Sequence, residues 1–163
     1  MNWYKLSQID IIPFDYENND NYDIDYERED YQSGAEKTFS ESGIRVSRDK
    51  NMTQLAIENG KVIGAIASSW NKEDEYDGKD VYVFSFDIAV KPEFRGPKMV
   101  GLKLIAAAIK QYEHEKTIYE ETDGLTMMRL WVVNRRLIPV LEQKFGFDLE
   151  SDLGKSGAYL IRY

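Results

Sequence analysis

The chain has 163 residues, among them no cysteine and a single histidine, His114. Without thiols it forms no disulfide, builds no thiolate metal site and uses no cysteine nucleophile, which fits a reducing compartment. A lone histidine excludes multi-histidine metal clusters and metalloprotease motifs, so we expect no metal cofactor. Because His114 falls near the predicted end of a long helix, where a cationic ring suits the helix dipole, we interpret it as structural or solvated.

Basic residues and long apolar runs are also scarce. Lys and Arg number 21 against 29 Asp and Glu, which gives a formal net charge of −8. Nucleic-acid binding needs clustered cations that displace counterions, so this balance argues against a nucleic-acid partner. No stretch approaches the length of a transmembrane helix, and the first residues do not resemble a signal peptide. We therefore expect a soluble, cytoplasmic protein without a membrane partner, and the oligomeric state is left open.

The residues that are present predict one folded domain over residues 1–163. Hydrophobic residues make up 42% of the chain, and this length buries about two-thirds of the unfolded surface. A first strand is expected within residues 1–13. Two apolar runs, 52–58 and 61–70, flank Asn59-Gly60, a dipeptide typical of a tight hairpin turn. Residues 71–80 are polar, and we expect a loop there.

Residues 13–50 are the least patterned part of the chain. Between Asp15 and Asp30, three tyrosines are spaced among eight acidic residues, and we expect a loop, a short helix around 25–32 or partial disorder. A short helix at most is expected near 34–41. We interpret the acidic run first as a solvated surface. The alternative is a negatively charged aromatic lip that attracts a cationic amine.

The most informative stretch runs from Val81 to Tyr112. Its β-branched and aromatic first part predicts a buried strand, which Pro92 ends. Gly96-Pro97 marks a turn into a long helix, with Pro97 suited to the first helical position. Free N–H groups and the positive end of the helix dipole meet at such a turn, so it is a place to hold phosphate, although most such turns in α/β proteins bind nothing.

The second half repeats the strand-and-helix order. Residues 113–124 are expected to form a charged tail and loop, followed by a strand over 127–133. Asn134 precedes a helix over 135–144, which Gly146 is expected to end. Two strands are predicted around residues 154–157.

Both halves resemble the GCN5-related N-acetyltransferase (GNAT) superfamily. The first match is Val90-Lys91-Pro92-Glu93-Phe94-Arg95-Gly96 with Gly101 before Leu104, although the turn has one extra residue and lacks the inner glycine of the family pattern. The second match is the strand ending in Asn134 and the helix ending in Gly146-Phe147. The resemblance covers residues 52–163.

The resemblance implies an α/β (α+β) fold with a mixed, mostly antiparallel sheet of six to seven strands flanked by helices. It implies acetyl-CoA as co-substrate, with residues 81–112 as the acetyl-CoA-binding core, residues 13–50 as the variable acceptor side, and a cleft between strands 81–90 and 128–133. The cofactor-binding residues that it implies are Ile88, Ala89, Val90, Arg95, Gly96, Pro97, Lys98, Met99, Val100, Gly101, Leu102 and Asn134. For the basic residues among them, a solvated helix start is the alternative.

Acyl transfer to an amine needs a base, because a primary amine is mostly protonated at neutral pH. Asp87 lies inside an otherwise apolar strand, and burial raises the pKa of such a carboxyl group towards a useful range. An ion pair of Asp87 with Arg129 is the open alternative. The family's usual acid, a Tyr, is replaced by Glu142, with Tyr119 and Tyr159 as possible substitutes.

Two functions therefore stay open. The first is an N-acetyltransferase that acts on an amine, either a small cationic amine or a protein amine, because the acidic segment disfavours an anionic acceptor. The second is a degenerate, non-catalytic binding or interaction protein with this fold, which the altered turn and Glu142 favour.

Overall fold

The computed structural model describes residues 8–17, 25–96 and 99–163. Its strands are β1 Ile9–Pro13, β2 Asn51–Glu58, β3 Lys61–Tyr76, β4 Lys79–Val90, β5 Leu125–Val132, β6 Asp148–Asp152 and β7 Ala158–Arg162. Its helices are α1 Asp25–Glu41, α2 Val100–Glu120 and α3 Ile138–Phe145. The strands form one seven-stranded sheet in the order β1-β2-β3-β4-β5-β7-β6.

The sheet is mixed, as predicted. Strands β4 and β5 run parallel, from the pair Val81–Leu125 to the pair Ser85–Arg129. The pairs β1–β2, β2–β3, β5–β7 and β6–β7 are antiparallel. A parallel step requires a crossover, and α2 lies between β4 and β5 in the chain. The predicted fold class is confirmed.

The chain divides into two compact units. The first unit comprises Met1–Ser68 and Ile88–Ala108, and the second comprises Ser69–Asp87 and Ile109–Tyr163. The single domain expected over residues 1–163 stays a prediction. In the described part of the chain, no helix is long and apolar enough to cross a membrane.

The core of the first unit lies where α1 covers the sheet. The two short helices expected near 25–32 and 34–41 are wrong, because α1 is one helix of 17 residues. Its apolar contacts come from few positions, Tyr31, Ala35 and Phe39, spaced by one helical turn. Residues 18–24 of the acidic segment, including Tyr22, lie outside the described residues.

The β2–β3 hairpin forms as predicted. Asn59 and Gly60 have φ values of 51° and 74°, the positive values that a type I′ turn requires. The loop expected at 71–80 is wrong: β3 extends to Tyr76, and a second tight turn at Asp77-Gly78 (φ 53° and 77°) leads into β4. The side chains around this turn are mostly exposed, so its strands look polar in the sequence.

Helix α2 is displaced from its predicted limits at both ends. The helix begins at Val100, so Arg95 and Gly96 are not helical. Pro97 and Lys98 lie outside the described residues. At the other end the helix continues to Glu120, so residues 113–120 are not a loop. Contacts within the second unit explain this extension, since Glu115 accepts a hydrogen bond from Trp70 Nε1 at 2.7 Å.

The second unit otherwise follows the predicted order. The Asn134 side chain accepts a hydrogen bond from the Arg136 N–H at 3.1 Å and so begins the helical turn that precedes α3. Pro139 occupies the first turn of α3, and Gly146 ends the helix with a φ of 71°. Strands β6 and β7 pair on either side of the turn at 153–157.

Candidate active site

The turn between β4 and α2 lies entirely in the first unit. The Lys91 N–H donates to the Ile63 carbonyl oxygen at 2.9 Å, and a short 3-10 turn over Pro92–Phe94 follows. The backbone then passes through two positive φ values, 128° at Gly96 and 54° at Met99. The Lys103 N–H donates to the Met99 carbonyl at 3.1 Å.

That hydrogen bond has the first acceptor of α2 in the described part of the chain. Because the first intrahelical acceptor is Met99, the N–H groups of Val100, Gly101 and Leu102 precede the helical ladder. They lie where the helix dipole is positive. These three residues belong to the set that the sequence predicts for phosphate binding.

A side chain at Gly101 is compatible with the packing of the described residues. A Cβ atom there would make an ordinary van der Waals contact with Val90 Cγ2 at 3.8 Å. Gly64 on β3 is different, because its Cβ would lie 2.9 Å from Leu104 Cδ1 and 3.3 Å from the Ala89 carbonyl oxygen. Because Gly64 has no side chain, α2 can approach the sheet closely at this position. This local arrangement fits a phosphate-bearing cofactor at the start of α2.

Arg95 makes structural hydrogen bonds that the sequence pattern does not predict. Its Nε–H donates to the Val90 carbonyl oxygen at 2.9 Å, and its Nη2 donates to Ser42 Oγ at 3.2 Å. The Ser42 hydroxyl itself donates to the same Val90 carbonyl at 3.4 Å. Arg95 and Ser42 thus tie the end of β4 to the end of α1, and a contact of Arg95 with phosphate stays a prediction.

Asp87, the candidate base, is half-buried on β4 in the second unit. Strand alternation places it on the face of Ser85, whose register partner on β5 is Arg129. The Arg129 guanidinium binds Glu73 (Nη1 to Oε2, 2.6 Å) and Glu150 (Nε to Oε2, 3.3 Å). The ion pair of Asp87 with Arg129 that the sequence left open stays a prediction.

The candidate acids occupy unlike environments. Glu142 is exposed on α3. The Tyr119 ring packs 4.5 Å from the rings of both Trp70 and Tyr82. Burial, with Glu115 nearby, raises the pKa of its hydroxyl, and its role as an acid stays a prediction. Tyr159 is partly exposed against Trp131.

Among the remaining predicted residues, Asn134 uses its side-chain oxygen as the cap described above, and its contact with a cofactor stays a prediction. Ala89 is buried, whereas Ile88 and Val90 are half-buried. In the described ranges, no group of three or more His, Asp or Glu side chains is placed to hold a metal ion.

The fold that carries this turn is a seven-stranded mixed sheet with a parallel β4–β5 step. The profile of the Acetyltransferase (GNAT) family matches residues 12–147. The chain belongs to this family.

Solved structures share the fold at low identity. Arabidopsis thaliana Naa50, solved with the bisubstrate analogue CoA-Ac-MVNAL, has a TM-score of 0.51 and 14% identity over 95% of this chain and 98% of that chain. Escherichia coli ElaA has a TM-score of 0.60 and 12% identity, covering 96% and 100%. The NatC complex bound to Gag peptide and CoA has a TM-score of 0.60 and 15% identity, covering 94% and 97%. No curated protein matches the chain.

Proposed function

We propose that this protein transfers an acetyl group from acetyl-CoA to an amine acceptor. The observation that carries the proposal is the start of α2 in a member of the GNAT family, where the N–H groups of Val100, Gly101 and Leu102 precede the hydrogen bond from Lys103 to Met99. Two of the similar structures contain CoA or a CoA-derived analogue, which supports the choice of donor.

The cofactor contacts are assigned to this chain's own groups. The amides at the start of α2 would receive the pyrophosphate, and exposed Lys103 would add positive charge. Because the Val90 carbonyl already accepts from Arg95 and Ser42, we assign the pantetheine contacts first to the backbone of Ile88 and Ala89. Gly96, with its positive φ, lets the backbone bend after β4, and the hydrogen bonds of Arg95 hold this bend in place.

The chemistry follows direct transfer. Acetyl-CoA, when bound, would supply a thioester carbonyl. Asp87 takes one proton from the ammonium group of the acceptor, and the free amine nitrogen forms the new bond to carbon while the carbon–sulfur bond breaks. The second proton that the nitrogen loses goes to the departing CoA thiolate. The thiol of CoA, with an ordinary pKa of about 8.5, is a tolerable leaving group. The proposal therefore does not require Glu142 as an acid, although it keeps Glu142 as the candidate.

The acceptor is an amine, either a small cationic amine or a protein amine. Similar structures contain peptides, yet likeness at 14–15% identity carries only the fold. The net charge of −8 favours a cationic acceptor over an anionic one by long-range attraction.

The second candidate is a GNAT-fold protein without catalysis. It is favoured by two side chains that serve the fold: Arg95 braces β4 and Asn134 caps a helical turn. Glu142 in place of tyrosine adds to it.

The deciding experiment follows release of CoA thiol from acetyl-CoA against a panel of amines, peptides and antibiotics. An N-acetyltransferase releases thiol in step with one acceptor class and forms the acetylated product, identified by mass spectrometry. Absence of both turnover and acetyl-CoA binding would favour the non-catalytic protein.

A further inference from the structure

The end of β4 is held by side chains from two other places in the first unit. The Val90 carbonyl oxygen accepts hydrogen bonds from Arg95 Nε at 2.9 Å and from Ser42 Oγ at 3.4 Å. Arg95 Nη2 also donates to Ser42 Oγ at 3.2 Å. The three residues therefore form a closed triangle of hydrogen bonds, in which the Ser42 hydroxyl donates to one partner and accepts from the other.

The backbone at Ser42 is fixed by the way in which α1 ends. The Gly43 N–H donates to the Ser40 carbonyl oxygen at 3.1 Å. The Ile44 N–H donates to the Phe39 carbonyl oxygen at 3.1 Å, and Phe39 itself is buried in the core of the first unit. With a φ of 70° at Gly43, this is the Schellman arrangement of a helix end. The Ser42 hydroxyl is thus presented from a backbone that is anchored in the core.

Val90 connects the triangle to the proposed donor site. Its side chain lies beside the first turn of α2, since a Cβ atom at Gly101 would be 3.8 Å from Val90 Cγ2. The following residue is fixed as well, because the Lys91 N–H donates to the Ile63 carbonyl oxygen at 2.9 Å. The amide of Gly101 is one of those proposed to receive the pyrophosphate. The hydrogen bonds on Val90 therefore help to set how the end of β4 lies against these amides.

The triangle depends on Ser42 more than its exposed neighbour suggests. Arg95 is exposed, and its guanidinium donates to two neutral oxygen atoms, those of Val90 and Ser42. A hydrogen bond from a charged donor is about twice as strong as one between neutral groups. Ser42 is half-buried, so water competes less for its hydroxyl than for a fully exposed one. Replacing Ser42 leaves the guanidinium with one of its two protein acceptors.

We propose that Ser42 is a positioning residue for the acyl donor, which acts through Val90 and Arg95 on the geometry of the end of β4. Ser42 lies within residues 13–50, for which the sequence predicts a part in acceptor binding, whereas its contacts are with the donor turn. The inference rests on the proposed function for the identity of the donor, but donor binding is measurable without turnover. Ser42 acts on the affinity for acetyl-CoA and takes no part in proton transfer.

The test measures acetyl-CoA binding by calorimetry and turnover by steady-state kinetics on the full-length protein. In Ser42→Ala we expect the Kd and the KM for acetyl-CoA to rise roughly two- to tenfold, the range for one lost hydrogen bond. The kcat at saturating acetyl-CoA should stay unchanged, because the lost interaction contributes equally to the ground state and the transition state. Ser42→Thr keeps a hydroxyl group and should restore most of the affinity.

The matched control is Ser40→Ala, which removes an exposed hydroxyl two residues earlier on α1 and should leave donor affinity unchanged. Circular dichroism checks that each variant is folded. Equal donor affinity in folded Ser42→Ala and wild type, an equal loss in Ser40→Ala, or a loss confined to kcat would overturn the positioning role.

Binding and turnover separate this inference from the proposed function. If acetyl-CoA binds with these properties but no acetyl transfer occurs, the positioning role stands and the proposed function fails. If transfer occurs but Ser42→Ala binds acetyl-CoA as the wild type does, the proposed function stands and the positioning role fails. Absence of acetyl-CoA binding by the wild type would overturn both.

Discussion

In the proposed reaction, the chemical step depends on Asp87 as the base. Asp87 is half-buried on β4, and Arg129 on β5 binds Glu73 and Glu150. The sequence pointed to Asp87 because it is a single acidic residue inside an otherwise apolar strand.

Asp87→Asn keeps the shape of the side chain and removes the base. We expect turnover to fall by about a hundredfold or more, the usual contribution of a general base, while acetyl-CoA affinity stays unchanged. Steady-state kinetics together with calorimetric titration of acetyl-CoA separate the two effects. Ser85→Ala, on the same face, is the control, and an unchanged rate in Asp87→Asn would remove Asp87 from the mechanism.

At single residues, the sequence is most predictive where the contact is local. Asn59-Gly60, Asn134 and Gly146 adopt the roles expected of them because each acts on its own turn. Arg95 was predicted as a phosphate contact or as part of a solvated helix start. Its hydrogen bond to Ser42 was not predicted, since it joins residues 53 positions apart and leaves no local pattern.

At the scale of elements, α2 and β3 meet at Gly64. Since a Cβ at Gly64 would press on Leu104 and approach the Ala89 carbonyl, we expect Gly64→Ala to lower the free energy of unfolding by about 1–3 kcal/mol. Gly101→Ala is the matched control: its Cβ has ordinary contacts within a helix, so it should raise stability by up to about 1 kcal/mol. Chemical denaturation measures both, and equal effects would contradict the close approach.

The turn between β6 and β7 carries a pH-dependent contact. The Arg135 guanidinium, aided by the Gly154 N–H, lowers the pKa of Asp152 from 3.8 to about 2. A lowered carboxyl pKa stabilises the fold above about pH 4, and that stabilisation is lost as the pH falls through 2. A carboxyl NMR titration should show this midpoint in the wild type and a return towards 3.8 in Arg135→Gln. Arg136→Gln should leave the midpoint of Asp152 at its wild-type value. A wild-type midpoint near 3.8 would contradict the effect of Arg135 on Asp152.

Element boundaries were predicted unevenly for physical reasons. Residues 71–80 look like a loop because their side chains are largely exposed, yet Asp77-Gly78 was a hairpin signal as clear as Asn59-Gly60. Helix α1 has few apolar positions, and the last turns of α2 are stabilised by distant partners such as Trp70, which sequence spacing does not show.

At the scale of the whole molecule, the order of elements was predictable. The hairpin, strand, long helix, strand and short helix occur in the expected order, and the family profile spans residues 12–147. What the sequence did not predict was the aromatic pair of Trp131 and Tyr159, because the pairing of β5 with β7 brings together residues 28 positions apart.

The central claim is that the turn between β4 and α2 binds the acyl donor, and calorimetric titration with acetyl-CoA tests it most directly. Wild-type protein and Lys110→Glu, an exposed change further along α2, should bind with matching affinity. Gly101→Glu should bind at least about tenfold more weakly without losing stability, because an acid in the first helical turn suits the dipole but repels pyrophosphate. Absence of binding at millimolar acetyl-CoA, or equal binding by Gly101→Glu, would contradict the account.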